Sequence, residues 1–288
     1  MALTGLFLCT FLIGHLLGNL QLIMIQGEEG RVAFNEYAYF MTHNPVIKIM
    51  SYLTYFSILF HAIDGFLLTI QNKKARPIDY AYNKPNTNSK LPSRYMAIMG
   101  TVILVFIVTH MANFWWKMKY SSDPFPLHKT MIYAPLTQAE EGEEAYITTN
   151  GSFLPVSNVT VKNGNELFVE YNDELLQQYP QLKNDSRNPA YSEGYKDLHS
   201  LVFAFFGHDK SKEAGIAANE YALIAVLGYV IAMLVLAFHL FHGFASAFQS
   251  LGVNHKKYNP IIKNVGIAFS VLVPLAFAII PVLIYMWK

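Results

Sequence analysis

Apolar runs alternate with polar stretches along the chain, and five runs are long enough to cross a bilayer, which takes about 20 apolar residues. The pattern predicts helix I over roughly 2–25, helix II over roughly 45–71 and helix III over roughly 94–119. Helix IV follows over roughly 220–248 and helix V over roughly 261–287. Helix II opens at Asn44-Pro45, with proline where a first turn tolerates it. Pro274 and Pro281 fall inside helix V and predict kinks unless neighbours satisfy the freed backbone. Met1 to Met24 lacks a basic leader and a small-residue cleavage site, so it reads as helix I rather than a signal peptide, with a cytoplasmic lead-in expected before it.

Composition agrees with a membrane chain. Residues are 53% hydrophobic and only 14% charged, against about 25% charged in soluble domains. The net charge of +1 leaves no basic patch for a nucleic acid. The single cysteine, Cys9, excludes an intramolecular disulfide and an iron–sulfur cluster held by this chain alone. No C-x-x-C-H is present, so any haem would be bound non-covalently.

Loop charges orient the helices. The 72–94 loop carries Lys73, Lys74, Arg76, Lys84, Lys90 and Arg94 against Asp79 alone. Lys256, Lys257 and Lys263 follow helix IV without an acid. The 26–44 connector holds Arg31 against Glu28, Glu29 and Glu36, and 120–220 holds 15 acids against 7 basic residues. Lysine and arginine mark the cytoplasmic side, so the N-terminus is expected inside and the 120–219 segment outside. The expected class is an all-α integral membrane protein. Helices I–III occupy 1–119, a long outer (periplasmic) insertion 120–219, and helices IV–V 220–288. Inside the insertion, Tyr146–Thr149 and Glu166–Tyr171 alternate like short strands, and Asn163-Gly164 signals a hairpin.

The candidate chemistry lies in histidines. His15, His61, His110 and His239 fall one on each of helices I to IV, in apolar surroundings. A polar ring in a bilayer is costly and needs a partner. One such residue reads as a core histidine bonded to a carbonyl; four are harder to explain so. With the helices oriented as above, His61 and His239 sit about 10 residues, or roughly 15 Å, from the inner face. His15 and His110 sit as far from the outer face. Two histidines meeting at one depth can supply both axial ligands of a haem. Gly14 and Gly18 flank His15, Gly65 follows His61 by four, and Gly243 follows His239 by four. These glycines offer room for a flat macrocycle, or for ordinary close helix packing.

At these residues the chain resembles the cytochrome b membrane-anchor subunit of succinate:quinone oxidoreductases (succinate dehydrogenase and fumarate reductase), of the five-helix, two-haem type. The resembling stretches are Phe11–Asn19, Leu59–Leu68, Ile103–His110 and Phe238–Gly252. The long segment after helix III makes the resemblance nearest to a Bacteroidetes-like branch. The resemblance implies two b haems, the outer held by His15 and His110 and the inner by His61 and His239. It selects His239 over His242, because the ligand stands four before a glycine. It also implies a flavoprotein and an iron–sulfur protein on the cytoplasmic face, a quinone (menaquinone in such members) as electron partner, and a bacterial inner-membrane location. A dimer of heterotrimers is among the assemblies it allows. No flavin fingerprint or dicarboxylate site stands on this chain, so it would carry electrons for an enzyme whose chemistry lies in its partners.

Further residues have two readings each. Asp64, one turn past His61, suits a proton or haem-side role, or a bond to a neighbouring helix. Arg94 suits an inner-haem propionate, or a snorkelling arginine. Asn19, Gln21 and Asn113 suit quinone oxygens, or helix–helix hydrogen bonds. Trp115, Trp116 and Trp287 read as an outer aromatic belt. His43, His128, His199 and His208 read as solvated loop residues. Two alternatives stand beside the leading one: a two-haem cytochrome b of another quinone-linked oxidoreductase, which would pair its histidines differently, and a proton-coupled transporter with a histidine–aspartate relay.

Overall fold

In a computed structural model, the residues described are 1–75, 78, 87, 91–120, 125–133, 141–169, 177, 192–208 and 214–287. The chain is mostly helical. Among the described residues, five helices are long and apolar enough to cross a membrane: Ala2–Met24 (α1, helix I), Pro45–Lys74 (α3, helix II), Met96–Tyr120 (helix III), Ala222–Ser250 (α8, helix IV) and Asn259–Met286 (α9, helix V). Most of their large apolar side chains point outward, as a bilayer requires. Of the orienting charges, Arg76, Asp79, Lys84 and Lys90 lie outside the described residues, as does Tyr171 at the predicted strand end.

Local chemistry explains the ends. The Asn44 side chain accepts from the amides of Val46 and Ile47, and Pro45 occupies the first turn of helix II. Helix III follows a short turn of helix, Leu91–Arg94 (α4). It runs as α5 (Met96–Met111), widens into a π turn over Ala112–Trp116 that starts two residues after His110, and ends as α6 (Lys117–Tyr120). Helix V stays one helix through Pro274 and Pro281, both buried against its neighbours.

The 26–44 stretch departs from the expected connector. It forms a helix, Gly27–His43 (α2), that buries Gly30, Phe34 and Asn35. Its charged composition hides the element, yet Glu28 and Glu29 in the first turn complement the helix dipole. Gly30, Phe34 and Asn35 fall at helical spacing on one face.

Among the described residues between helices III and IV, the chain builds two three-stranded antiparallel sheets. One runs β1 (Lys129–Ile132), β2 (Glu143–Ile147), β3 (Phe153–Pro155), and the other β4 (Val159–Lys162), β5 (Glu166–Val169), β6 (Ser192–Glu193). Asn163 and Gly164 turn β4 into β5, both with positive φ, which glycine adopts freely and asparagine tolerates. Leu127, Tyr146 and Leu167 are buried between the sheets. The helix Leu198–Phe205 (α7) then returns toward the bundle. Its Val202 and Phe206 join Leu22, Phe34, Val226, Ile280 and Ile284 in the main apolar core.

Candidate functional site: paired histidines across the bundle

The structure brings the four helix-borne histidines together as two pairs. His15 and His110 have ring centroids 5.8 Å apart with the planes at 80°. His61 and His239 have centroids 6.1 Å apart with the planes at 67°. Helix I thus meets helix III, and helix II meets helix IV.

Aromatic rings wall the first pair. Phe11 stacks on His15 at 5.4 Å and Phe106 on His110 at 5.8 Å, each one turn before its histidine. Phe277 of helix V approaches His15 to 5.6 Å, and Phe114 approaches His110 to 5.2 Å from the π turn. That turn adds a residue to the helical ring, which changes the face on which Phe114 emerges.

Three of the four imidazoles are held at Nδ1. His110 Nδ1 lies 3.0 Å from the Tyr229 hydroxyl on helix IV. His61 Nδ1 lies 3.3 Å from Thr4 Oγ1 on helix I. Thr4 already donates to the Met1 carbonyl at 2.8 Å, so it can only accept from His61. That assignment puts the His61 proton on Nδ1 and the lone pair on Nε2. His15 Nδ1 lies 3.3 Å from the Asn19 amide, which also donates to the His15 carbonyl at 2.7 Å. His239 Nδ1 is buried and has no hydrogen-bond partner among the described residues.

Each pair brings two imidazoles close enough to hold one metal between them. Two imidazoles sharing one metal at nitrogen bonds of about 2.0–2.1 Å have centroids about 6.3 Å apart. Both pairs stand within half an ångström of that. Ligating histidines also engage their second ring nitrogen, which fixes tautomer and orientation. Among the described residues, no cluster of three or more histidine, cysteine or carboxylate groups offers a metal a conventional cage.

Other expectations resolve differently. A Cβ on Gly5 would lie 3.2 Å from His61 Cε1, and one on Gly100 3.8 Å from His239 Cε1. The glycines bordering the His61–His239 pair therefore come from helices I and III. Gly65 faces the Met1 side chain and Gly243 the Met96 side chain. Gly18 is filled by the ring of Tyr37 from α2, and Gly14 faces open space. Asp64 pairs with the Met1 amino group at 2.7 Å, a bond to the neighbouring helix. Asn19 holds His15. Arg94 is half-buried on α4, which abuts helix IV. His242 lines a cavity of about 330 Å³ between helices IV and V, with Gln249 and Lys263. Trp115 and Trp116 form an aromatic cluster with Tyr55 and Tyr120.

Three histidines read as solvated are buried instead: His128, His199 and His208. His128 accepts from Asn35 at Nδ1 (3.2 Å) and meets Glu28 at Nε2 (2.8 Å). Asn35 also donates to Asp197, and Arg31 pairs with both Asp197 and Glu28. This network ties α2 to the segment before α7. Sequence spacing gave no signal for it, because its members lie about 100 and 160 positions apart. Burial pushes the Asp197 carboxyl up, but hydrogen bonding and charge from Arg31, with Asn35 and Ser200, outweigh it and hold it below the usual carboxylate range. Tyr229 and Thr4 were missed for the same reason of distance in sequence. No family model, curated protein or solved structure matches the chain.

Proposed function

We propose that the chain is the membrane-anchor cytochrome b subunit of a succinate:quinone oxidoreductase. The carrying observation is the pairing of four histidines from four apolar helices into two cross-helix pairs, I with III and II with IV. A cytochrome of another quinone-linked oxidoreductase would pair them otherwise. His15 and His110 would hold the outer b haem, and His61 and His239 the inner one. Each haem, when bound, takes up and passes on one electron at a time.

The chain's own residues orient and shield the ligands. Thr4 would keep the His61 proton on Nδ1 and leave the Nε2 lone pair free to hold an iron. Tyr229 can do the same for His110. For His15, ligation through Nε2 requires the Asn19 amide to turn so that its oxygen accepts from Nδ1. Phe11, Phe106, Phe114 and Phe277 keep water from the outer pair. In this reading Arg94, on α4 beside helix IV, would meet a propionate of the inner group.

In this reading the bundle lies in a bacterial inner membrane with its N-terminus cytoplasmic. The sheet-bearing segment between helices III and IV lies on the outer face. A flavoprotein and an iron–sulfur subunit dock on the cytoplasmic side, and a quinone, menaquinone by resemblance, exchanges electrons within the membrane. The test is a reduced-minus-oxidised spectrum of the purified chain with pyridine-haemochrome quantification. Two b haems per chain are expected. A colourless chain from haem-sufficient cells overturns the proposal.

A further inference from the structure

We propose that Tyr229 is a positioning residue for His110, which extends the two-haem reading above and rests on it. Helix IV supplies its own histidine, His239, ten residues further along, about 15 Å away at 1.5 Å per residue. At the level of the outer pair it supplies Tyr229 instead, with the hydroxyl 3.0 Å from His110 Nδ1. Three rings clamp the phenol. Phe106 meets it at 4.9 Å and 81°, Phe206 at 5.0 Å and 90°, and Phe205 at 5.8 Å and 63°. The hydroxyl is thus aimed by packing.

Phe205 ends α7 and Phe206 caps it, and the N-cap of the same helix is Asp197. Asp197 is anchored by Arg31 of α2. A continuous set of contacts therefore runs from the Arg31–Asp197 pair, through α7, to Tyr229 and His110.

The chemistry follows from the tautomer. With the proton on Nδ1, Tyr229 accepts it as a hydrogen bond and the imidazole becomes more basic at Nε2. A more basic ligand favours the oxidised iron and lowers the potential of that haem. His239, the corresponding ligand from helix IV in the other pair, has no such bond at Nδ1.

The experiment compares the full chain with Tyr229→Phe, Thr4→Val and a chain carrying 3-fluorotyrosine at 229. Each is read by haem content, optical redox titration and low-temperature EPR of the oxidised protein. Tyr229→Phe is expected to raise the midpoint potential and shift the low-spin g values of one haem and leave the other in place. Fluorotyrosine keeps the ring volume and weakens the acceptor, so it moves the same component in the same direction. It decides the matter if Tyr229→Phe loses a haem. Thr4→Val moves the other component. Two haems with unmoved potentials in both tyrosine variants overturn the role of Tyr229 and leave the two-haem reading standing. So does a shift of the same component by Thr4→Val and Tyr229→Phe. A wild-type chain without haem overturns both.

Discussion

The Arg31 guanidinium on α2 lies 2.6 Å from the carboxylate of Asp197, a fully buried residue 166 positions later. Removing one partner of such a pair costs about 3–5 kcal/mol, because the other charge is left buried and unpaired. Arg31→Met is therefore expected to release α7 from α2. Amide hydrogen-exchange protection across 198–206 reads this directly. Adding Asp197→Asn restores most of the protection, since the amide oxygen still caps Ser200 and no charge remains. Equal losses in the single and double variants would show that the ion pair does not anchor this segment.

Acid should loosen the same region, and the sign can be worked out from His199. This ring is buried, stacked at 4.1 Å on Phe203 and edge-on to Phe34. Asp197, Arg31, His128 and Glu28 are the charged and titratable groups around it. Burial lowers its pKa from 6.5 to about 4. Between those values the unfolded segment binds the extra proton and the folded one does not, so stability rises with pH there. The contribution is whole above pH 6.5 and is lost as pH falls toward 4. Its size is about 3 kcal/mol at 1.36 kcal/mol per unit. Asp197 has its carboxyl held below the usual range, so its contribution is lost only at lower pH. Protection factors for 198–206, corrected for intrinsic exchange, should fall over that window. His199→Phe should flatten the slope, and a slope that persists in it would place the titrating group elsewhere.

The five apolar helices were legible because a bilayer demands long runs, and helix spacing then carries each histidine to a calculable depth. Depth arithmetic put His15 beside His110 and His61 beside His239 without any contact being known. What depth cannot reach is rotation about the helix axis. Gly65 and Gly243 were chosen as neighbours in sequence, whereas Gly5 and Gly100 border the inner pair across helix interfaces. The Nδ1 partners Thr4 and Tyr229 were hidden for the same reason. Loop position misled in another way. His128 and His199 fall between helices III and IV, where a histidine is expected to meet water, and only the return of α2 and α7 onto each other buries them.

If each pair shares one group, substitutions should fall into two classes. His15→Ala and His110→Ala are expected to abolish the same spectral component, and His61→Ala and His239→Ala the other. Haem content should drop from two to one per chain in every single variant. The double variant His15→Ala/His110→Ala should look like either single one, because the second loss removes a ligand from a site already empty. Three components or a crossed pattern would mean that the ring contacts at 5.8 and 6.1 Å do not mark shared ligation.

Gly5 and Gly14 lie on the same helix and make opposite predictions. A Cβ at position 5 would meet His61 Cε1 at 3.2 Å, closer than ordinary van der Waals contact. A Cβ at position 14 meets nothing within 4 Å beyond its own chain neighbours. Alanine is the better helix former by roughly 0.5–1 kcal/mol, so Gly14→Ala should leave the chain as stable or more so. Gly5→Ala must push the His61 ring, which Thr4 holds by its Nδ1 at 3.3 Å. The ring then either turns about that bond, which reorients Nε2, or breaks it, which also frees the tautomer. Optical and EPR signals assigned through His61→Ala should shift in Gly5→Ala and stay fixed in Gly14→Ala. Matching spectra in the two variants would mean that the helix I wall does not set the inner histidine.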